Sequence, residues 1–189
     1  MALMSLAEVF RLVIMTAGLG YIFMDYIKRP QTATYDHLSK KGFDWDSFKF
    51  AALVTAPGII LHELGHKFVG LAMGIQTEFF ASYFGLFIGI FLKVISSPFI
   101  IFAPGYVRLS GLMTPVEGFL TAFAGPAMNL VLFAIAHVIL DRKKSLTQKQ
   151  ATLLYMTKRI NLFLFLFNLI PLPPFDGYSV FRNLFAMFF

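Results

Sequence analysis

The sequence predicts an α-helical integral membrane protein, a bundle of about four to six transmembrane helices. Of its 189 residues, 58% are hydrophobic and only 14% are charged, whereas a soluble domain usually carries about a quarter charged residues. The apolar residues come in long blocks, and phenylalanine alone contributes 24 of them. Lipid is the solvent that tolerates a surface of this composition.

The net charge of +6 does not indicate nucleic-acid binding. The basic residues concentrate in two segments, 26–41 and 141–149, which flank predicted membrane helices. Lysine and arginine collect there because they anchor at lipid headgroups. Membrane lipid is therefore an expected partner and nucleic acid is not. The chain has no cysteine, so a metal site must consist of histidines and carboxylates.

Four long apolar segments predict the main helices, and they cover residues 6–26, 48–73, 115–140 and 152–170. Each is close to or above the roughly 20 residues that cross a bilayer. The chain ends on the apolar stretch 182–189. Such an ending is typical of a truncated chain or of a terminus that lies against lipid.

The region between the second and third segments, residues 77–110, is ambiguous. Its apolar content permits a spanning helix over residues 79–95. Gly85, Gly89 and two later proline turns instead divide it into short pieces that suit strands. Periodicity leaves both alternatives open.

The stretch GIILHELGHKFVG, residues 58–70, places three ionisable side chains in an apolar helix. His62 and His66 are four residues apart, so they share one helical face and can bind one metal ion. Glu63 lies about 100° around the helix from His62, within reach of a metal-bound water. Zinc fits two imidazoles and one carboxylate, with a fourth position for that water. Incidental placement is disfavoured because each charge at membrane depth costs roughly 2.5 kcal/mol or more.

The third ligand should be a carboxylate at a similar depth. The candidates are Glu8, Glu78, Glu117, Asp141, Asp176 and the acidic residues of the first loop. Asp176 stands out because a proline-rich stretch, 171–174, breaks the helix before it and Gly177 frees the backbone after it. Irregular backbone at membrane depth requires surrounding protein or a water-filled cavity. The alternative is that Asp176 only caps the next helix.

The other two histidines are expected outside the metal site. His37 falls in a polar loop, and His137 falls near the end of a helix, at the membrane interface.

Three motifs, HELGH at 62–66, AGPAMN at 124–129 and NLIPLPPFDG at 168–177, resemble those of the site-2 protease family of intramembrane zinc metalloproteases. The resemblance covers residues 48–180, in the family's order. It implies that His62, His66 and Asp176 bind one Zn²⁺ per chain and that Glu63 activates the zinc-bound water. It further implies that Asn168 and Asn129 contact the substrate. The alternative for both asparagines is a hydrogen bond between helices.

The resemblance also implies a small membrane-associated β element between the second and third long helices. This favours strands for part of residues 77–110, and an exposed strand edge can hold an unwound substrate by strand addition. Nothing in the sequence is long and polar enough for the PDZ domain that many bacterial members carry. The chain is therefore expected to be a minimal member, a single membrane-embedded metalloprotease domain over residues 1–189.

The expected function is hydrolysis of peptide bonds within or near transmembrane segments of other proteins, by a multi-pass protein of the cell membrane. Two alternatives stay open: another membrane zinc peptidase with a glutamate as third ligand, and a non-catalytic transporter or scaffold. Orientation also stays open. The basic loops indicate a cytoplasmic location for their side, whereas the resemblance implies that they are external.

Overall fold

The computed structural model describes residues 4–27, 43–97 and 104–189. Within these residues the chain forms six helices and two strands. The helices are α1 (Leu6–Phe23), α2 (Trp45–Ala72), α3 (Tyr83–Val94), α4 (Pro115–Arg142), α5 (Gln148–Asn168) and α6 (Asp176–Ala186). The strands are β1 (Gln76–Ala81) and β2 (Gly105–Ser110). His37 and most of the first basic segment lie outside the described residues.

Side-chain caps explain where two of the long helices begin. Thr114 accepts a hydrogen bond from the backbone of Glu117, whose carboxylate bonds back to the backbone of Thr114, and α4 starts between them. Thr147 and Gln150 form the same reciprocal pair at the start of α5. Helix α4 continues through Pro126. The four long helices match the four predicted segments.

Three of the described helices, α1, α2 and α4, are long and apolar enough to cross a membrane. Helix α5 has 21 residues but carries Lys149, Lys158 and Arg159. Many large apolar side chains on these helices stay exposed, such as Phe10 and Val131. Exposed apolar side chains are expected on a surface that faces lipid, because lipid offers no hydrogen-bond partners to polar side chains. The prediction of an α-helical integral membrane protein is confirmed.

Helix α4 packs against α2, α5 and α6, while α1 packs against α2, α3 and β1. One apolar cluster joins α1, α2 and β1; its buried members are Met15, Leu19, Ala56 and Phe79. A second cluster packs around the first half of α2, with Ile27, Phe50, Ala51 and Val54 buried in it. Helix α2, which carries the HELGH motif, is therefore held by packed neighbours along most of its length.

The region 77–110 contains both strands and a helix. The expectation that Gly85 and Gly89 interrupt it is wrong, because both are buried inside α3. Ser82 starts α3 by accepting a hydrogen bond from the Gly85 backbone N–H. A spanning helix over 79–95 is also wrong, since the 12 residues of α3 reach only about 18 Å of the roughly 30 Å required.

The two strands pair antiparallel, with Gln76 opposite Ser110 and Ala81 opposite Gly105. Strand β1 follows α2 directly and packs against α1 and α2. The predicted β element between the second and third long helices is therefore confirmed.

Candidate metal centre

Three side chains from two distant parts of the chain meet at the centre of the bundle. His62 Nε2 lies 3.0 Å from Asp176 Oδ2, and His66 Nε2 lies 3.4 Å from the same oxygen. The two Nε2 atoms are 3.2 Å apart. In the described part of the chain, this is the one group of histidine and carboxylate side chains arranged to hold a metal ion.

The spacing of these atoms fits zinc. Zinc bonds of about 2.0–2.1 Å in a tetrahedron put neighbouring ligand atoms roughly 3.3 Å apart. The three observed separations, 3.0, 3.2 and 3.4 Å, bracket this value. Three ligand atoms occupy three corners of the tetrahedron, and the fourth corner is the position that catalytic zinc sites keep for water or substrate.

The hydrogen bonds behind the imidazoles require a proton on Nδ1 of each ring. His62 Nδ1–H donates to Asn129 Oδ1 at 2.6 Å, and His66 Nδ1–H donates to the Thr121 carbonyl at 2.8 Å. In the neutral imidazole this leaves the lone pair on Nε2, and both Nε2 atoms face the Asp176 carboxylate oxygen, which also presents lone pairs. Three acceptors that converge in this way are stabilised by a cation between them. These three atoms therefore fit a metal ion by their chemistry as well as by their spacing.

Asp176 reaches the histidines because of the backbone around it. It is the first residue of α6, and Phe175 before it makes no side-chain cap. The alternative that Asp176 caps this helix is therefore wrong: its carboxylate points at His62 and His66 instead. A Cβ on Gly177 would overlap the backbone of Leu169 at the end of α5. Glycine at 177 lets α6 begin close against α5.

Glu63 is buried and borders a cavity of 660 Å³ next to the centre. His62, His66 and Asp176 line the same cavity. Its walls are largely apolar and include Phe163 and Phe167 of α5. The structure therefore places a carboxylate beside the three-residue centre without including it among the converging atoms.

Asn129 lies behind His62 and is not among the described residues that line the cavity. It is fully buried, and its Nδ2 donates to the Gly58 carbonyl and to Asn161 Oδ1. These two bonds turn Oδ1 toward His62. In the described structure Asn129 links α4 to α2 and α5, as in the helix–helix alternative, and it orients the His62 ring. Its predicted contact with substrate stays a prediction.

Asn161 is a site residue that sequence reasoning missed. It is fully buried and accepts the hydrogen bond that sets the orientation of Asn129. The available signal was one amide in the otherwise apolar stretch 160–167, because a polar group at membrane depth needs a partner.

Asn168 borders the cavity at the end of α5. Its Nδ2 donates to the Leu164 carbonyl of its own helix at 3.0 Å, so this bond does not join two helices. Its predicted contact with substrate stays a prediction.

The other candidate ligands have different partners. Glu8 pairs with Lys67, Glu78 pairs with Arg11, and Glu117 serves the start of α4. Asp141 is exposed at the end of α4. His137 is also exposed, with Nδ1 3.2 Å from Lys158 Nζ.

Gly125 of the AGPAMN motif allows the imidazoles to lie against α4. A Cβ added there would come within 2.6 Å of His66 Cε1 and 2.7 Å of His62 Nε2. These distances are shorter than any normal contact between such atoms. Only glycine leaves room for both rings in their metal-facing positions.

We expect Gly125→Ala to weaken zinc binding by at least about tenfold, because its methyl group displaces the two imidazoles. Zinc affinity measured by competition with a chelator checks this. Gly18→Ala is the control, since a Cβ there meets only the flexible end of Leu86. Unchanged zinc affinity in Gly125→Ala would contradict the geometry.

Comparison with known proteins identifies the family. The model of peptidase family M50 matches residues 50–142 and 133–189. A protein of Methanocaldococcus jannaschii named "putative zinc metalloprotease" is 36% identical over 140 residues, covering 71% of this chain and 70% of that protein. A Synechocystis protein with the same description is 31% identical over 166 residues, 88% of this chain but 38% of that protein.

A third such protein, from Bacillus subtilis, is 35% identical over 77 residues, 36% of this chain and 35% of that protein. No solved structure matches the chain. The family match extends over both α2 and α6, which supply the converging side chains. The resemblance read from the three motifs is confirmed, and so is zinc as the cofactor. This multi-pass membrane protein belongs to peptidase family M50, the site-2 protease family of zinc metalloproteases.

Proposed function

We propose that this protein hydrolyses peptide bonds within or near transmembrane segments of other membrane proteins, in the cell membrane. The observation that supports this most is the burial of the centre. His62 and Glu63 are each 7% exposed, and they lie on a helix long and apolar enough to cross a membrane. A peptide bond that reaches them must enter the bundle.

His62, His66 and Asp176 would hold the zinc, and Glu63 would act as the general base. Bound zinc lowers the pKa of a water ligand to about 7 and polarises a carbonyl. The Glu63 carboxylate accepts a proton from the attacking water and returns it to the leaving amine. Asn129 and the Thr121 carbonyl keep the two imidazoles in their metal-facing orientation. The two imidazoles and Glu63 are buried among helices, and a low-dielectric surrounding strengthens these interactions.

The substrate backbone must be extended when it is cut, because a helical carbonyl is already hydrogen-bonded. Strand β2 lies along the cavity, and Gly105, Tyr106, Val107 and Leu109 line it. Among the described residues of β1, none does. We therefore place the substrate segment against the outer edge of β2, where strand addition holds it extended beside the centre.

The register shows which backbone groups face that edge. Phe79 lies opposite Val107, yet its N–H and C=O bond to side chains of α1. The two residues therefore form a non-hydrogen-bonded pair of the antiparallel ladder. The N–H and C=O of Val107 point away from β1, toward the edge that the substrate would occupy.

We expect Val107→Pro to lower the cleavage rate by about tenfold, the value of one lost hydrogen bond of about 1.4 kcal/mol. Proline has no N–H, but at an outward-facing position it leaves the ladder with β1 intact. Val107→Thr keeps the N–H and the branched shape, and serves as the control. Cleavage kinetics and zinc content check both variants. Full activity of Val107→Pro would contradict strand addition at β2.

The proposed function is tested with the purified chain in lipid vesicles. A reporter protein with one transmembrane segment is the substrate, and mass spectrometry of the products locates the cut. We expect a cut within or next to that segment, loss of activity with a chelator and recovery with zinc. If zinc-loaded protein leaves all transmembrane reporters intact and cuts only soluble peptides, the proposal is wrong. No cleavage and no bound zinc would favour the transporter or scaffold alternative.

A further inference from the structure

A buried ion pair lies outside the metal centre and has no part in the proposed chemistry. Glu8 of α1 is 3% exposed and Lys67 of α2 is 2% exposed. Glu8 Oε1 contacts Lys67 Nζ directly. Lys67 follows the candidate ligand His66 in the sequence. Charges at membrane depth are costly and persist where they pair.

Glu8 also bonds to the sheet. Its Oε1 accepts the backbone N–H of Phe79 at 2.9 Å, and its Oε2 accepts the backbone N–H of Ser5 at 2.8 Å. One carboxylate thus connects α1, the HELGH helix and the middle of β1.

Arg11, three residues after Glu8 on α1, bonds to the carbonyl of the same strand residue. Its Nη1 donates to the Phe79 carbonyl at 2.7 Å and to Glu78 Oε1 at 2.7 Å. Its guanidinium also lies 4.2 Å from the ring centre of Phe80. Both backbone groups of Phe79 that face away from β2 are therefore satisfied by α1. A third strand would satisfy these same two groups.

We propose that Glu8 and Arg11 take the place of a third strand: they close the outer edge of β1 and, through Lys67, hold the sheet at a fixed position relative to the metal centre. This inference rests on the proposed function. An extended substrate then has one edge to pair with, that of β2, which borders the cavity. Glu8, Arg11 and Lys67 are positioning residues, because they act on the substrate only through the sheet.

The physical consequence concerns which peptide bond is cut. Strand pairing repeats every two residues, so a sheet that slides or admits a strand at β1 presents a different bond to the centre. An anchored sheet gives a single cleavage position. A loosened sheet gives cuts that are spread over neighbouring positions, about two residues apart.

A matched pair of double variants isolates the bond to the strand. Glu8→Gln/Lys67→Met removes both charges but keeps one acceptor oxygen at position 8. The Phe79 N–H is buried, so leaving it without an acceptor costs more free energy than leaving the part-buried Ser5 N–H at the start of α1 without one. The one remaining oxygen is therefore expected to accept the hydrogen bond from Phe79. Glu8→Met/Lys67→Met removes both charges and the acceptor. The two variants therefore differ by the strand contact, with side chains of similar size.

We expect Glu8→Gln/Lys67→Met to keep the single cleavage position of the wild type. Glu8→Met/Lys67→Met should spread the cuts over neighbouring positions while zinc content stays at one per chain. Backbone amide exchange of residues 76–81, which needs no activity, should be at least about tenfold faster in this second variant. Identical cleavage positions and identical exchange in both variants would overturn the inference.

Arg11→Met keeps the test decisive if Glu8→Met/Lys67→Met does not fold. It leaves the Glu8–Lys67 pair in place and removes the partner of the Phe79 carbonyl together with the Glu78 and Phe80 contacts. The Arg11 side chain is 21% exposed. Faster exchange of residues 76–81 with retained zinc supports the inference, and unchanged exchange overturns it. If wild-type protein shows protected β1 amides but cuts no membrane substrate, the proposed function fails and the anchoring of the sheet still stands.

Discussion

Replacing Glu63 with glutamine is expected to lower the cleavage rate by about 10²- to 10⁴-fold, the usual contribution of a general acid–base group. The amide has nearly the shape of the carboxylate but cannot accept a proton from water. Glu63 is not among the three converging ligand atoms, so one zinc per chain should remain bound. Reporter cleavage in vesicles and metal analysis of the same preparation check both parts.

Asp141→Asn is the matched control for Glu63→Gln. It also converts a carboxylate to an amide, but at an exposed position at the end of α4. We expect wild-type cleavage from this control. If Glu63→Gln is as active as the control, Glu63 is not the base and the proposed mechanism fails.

Replacing Asp176 with alanine is expected to lower zinc affinity by more than about 100-fold. Loss of a residue that only hydrogen-bonds to a metal ligand already lowers metal affinity by about 10- to 100-fold. The carboxylate oxygen lies 3.0 and 3.4 Å from the two Nε2 atoms, and it is the one anionic group of the described cluster. Competition with a chelator measures the affinity, and cleavage should be lost together with the metal.

This variant also separates the two zinc-peptidase alternatives. A peptidase with glutamate as third ligand would keep its zinc when Asp176 is changed. The described glutamates Glu8, Glu78 and Glu117 already bond to Lys67, Arg11 and Thr114. Tight zinc binding by Asp176→Ala would show that the third ligand is elsewhere, whereas Glu63→Gln must keep its zinc in the same titration.

The sequence by itself was enough to predict the long helices and to single out the three side chains that converge at the centre. Apolar segments of bilayer length form helices almost regardless of their neighbours, because backbone groups in lipid must bond within the segment. The spacing of His62 and His66 places both on one helical face by local geometry alone. Asp176 was found through the prolines before it, since they make regular helix impossible there.

The tertiary structure decided everything that depends on which elements meet. Residues 77–110 could not be assigned, because strands and a spanning helix are both compatible with their apolar pattern. The described part of this region forms two strands and a short helix that pack against α1 and α2. Glu8 is one of several acidic residues in the sequence, and only the approach of α1 to α2 and β1 gives it Lys67 and Phe79 as partners.

The roles of the two asparagines show the same limit. The bonds of Asn129 to His62 and to α5 arise because α4 packs against both α2 and α5. Asn161 became visible only where α5 meets α4. A sequence pattern records how far each element is buried and which side chains share its face. It does not record the partner element, and the hydrogen bonds that orient the centre run between elements.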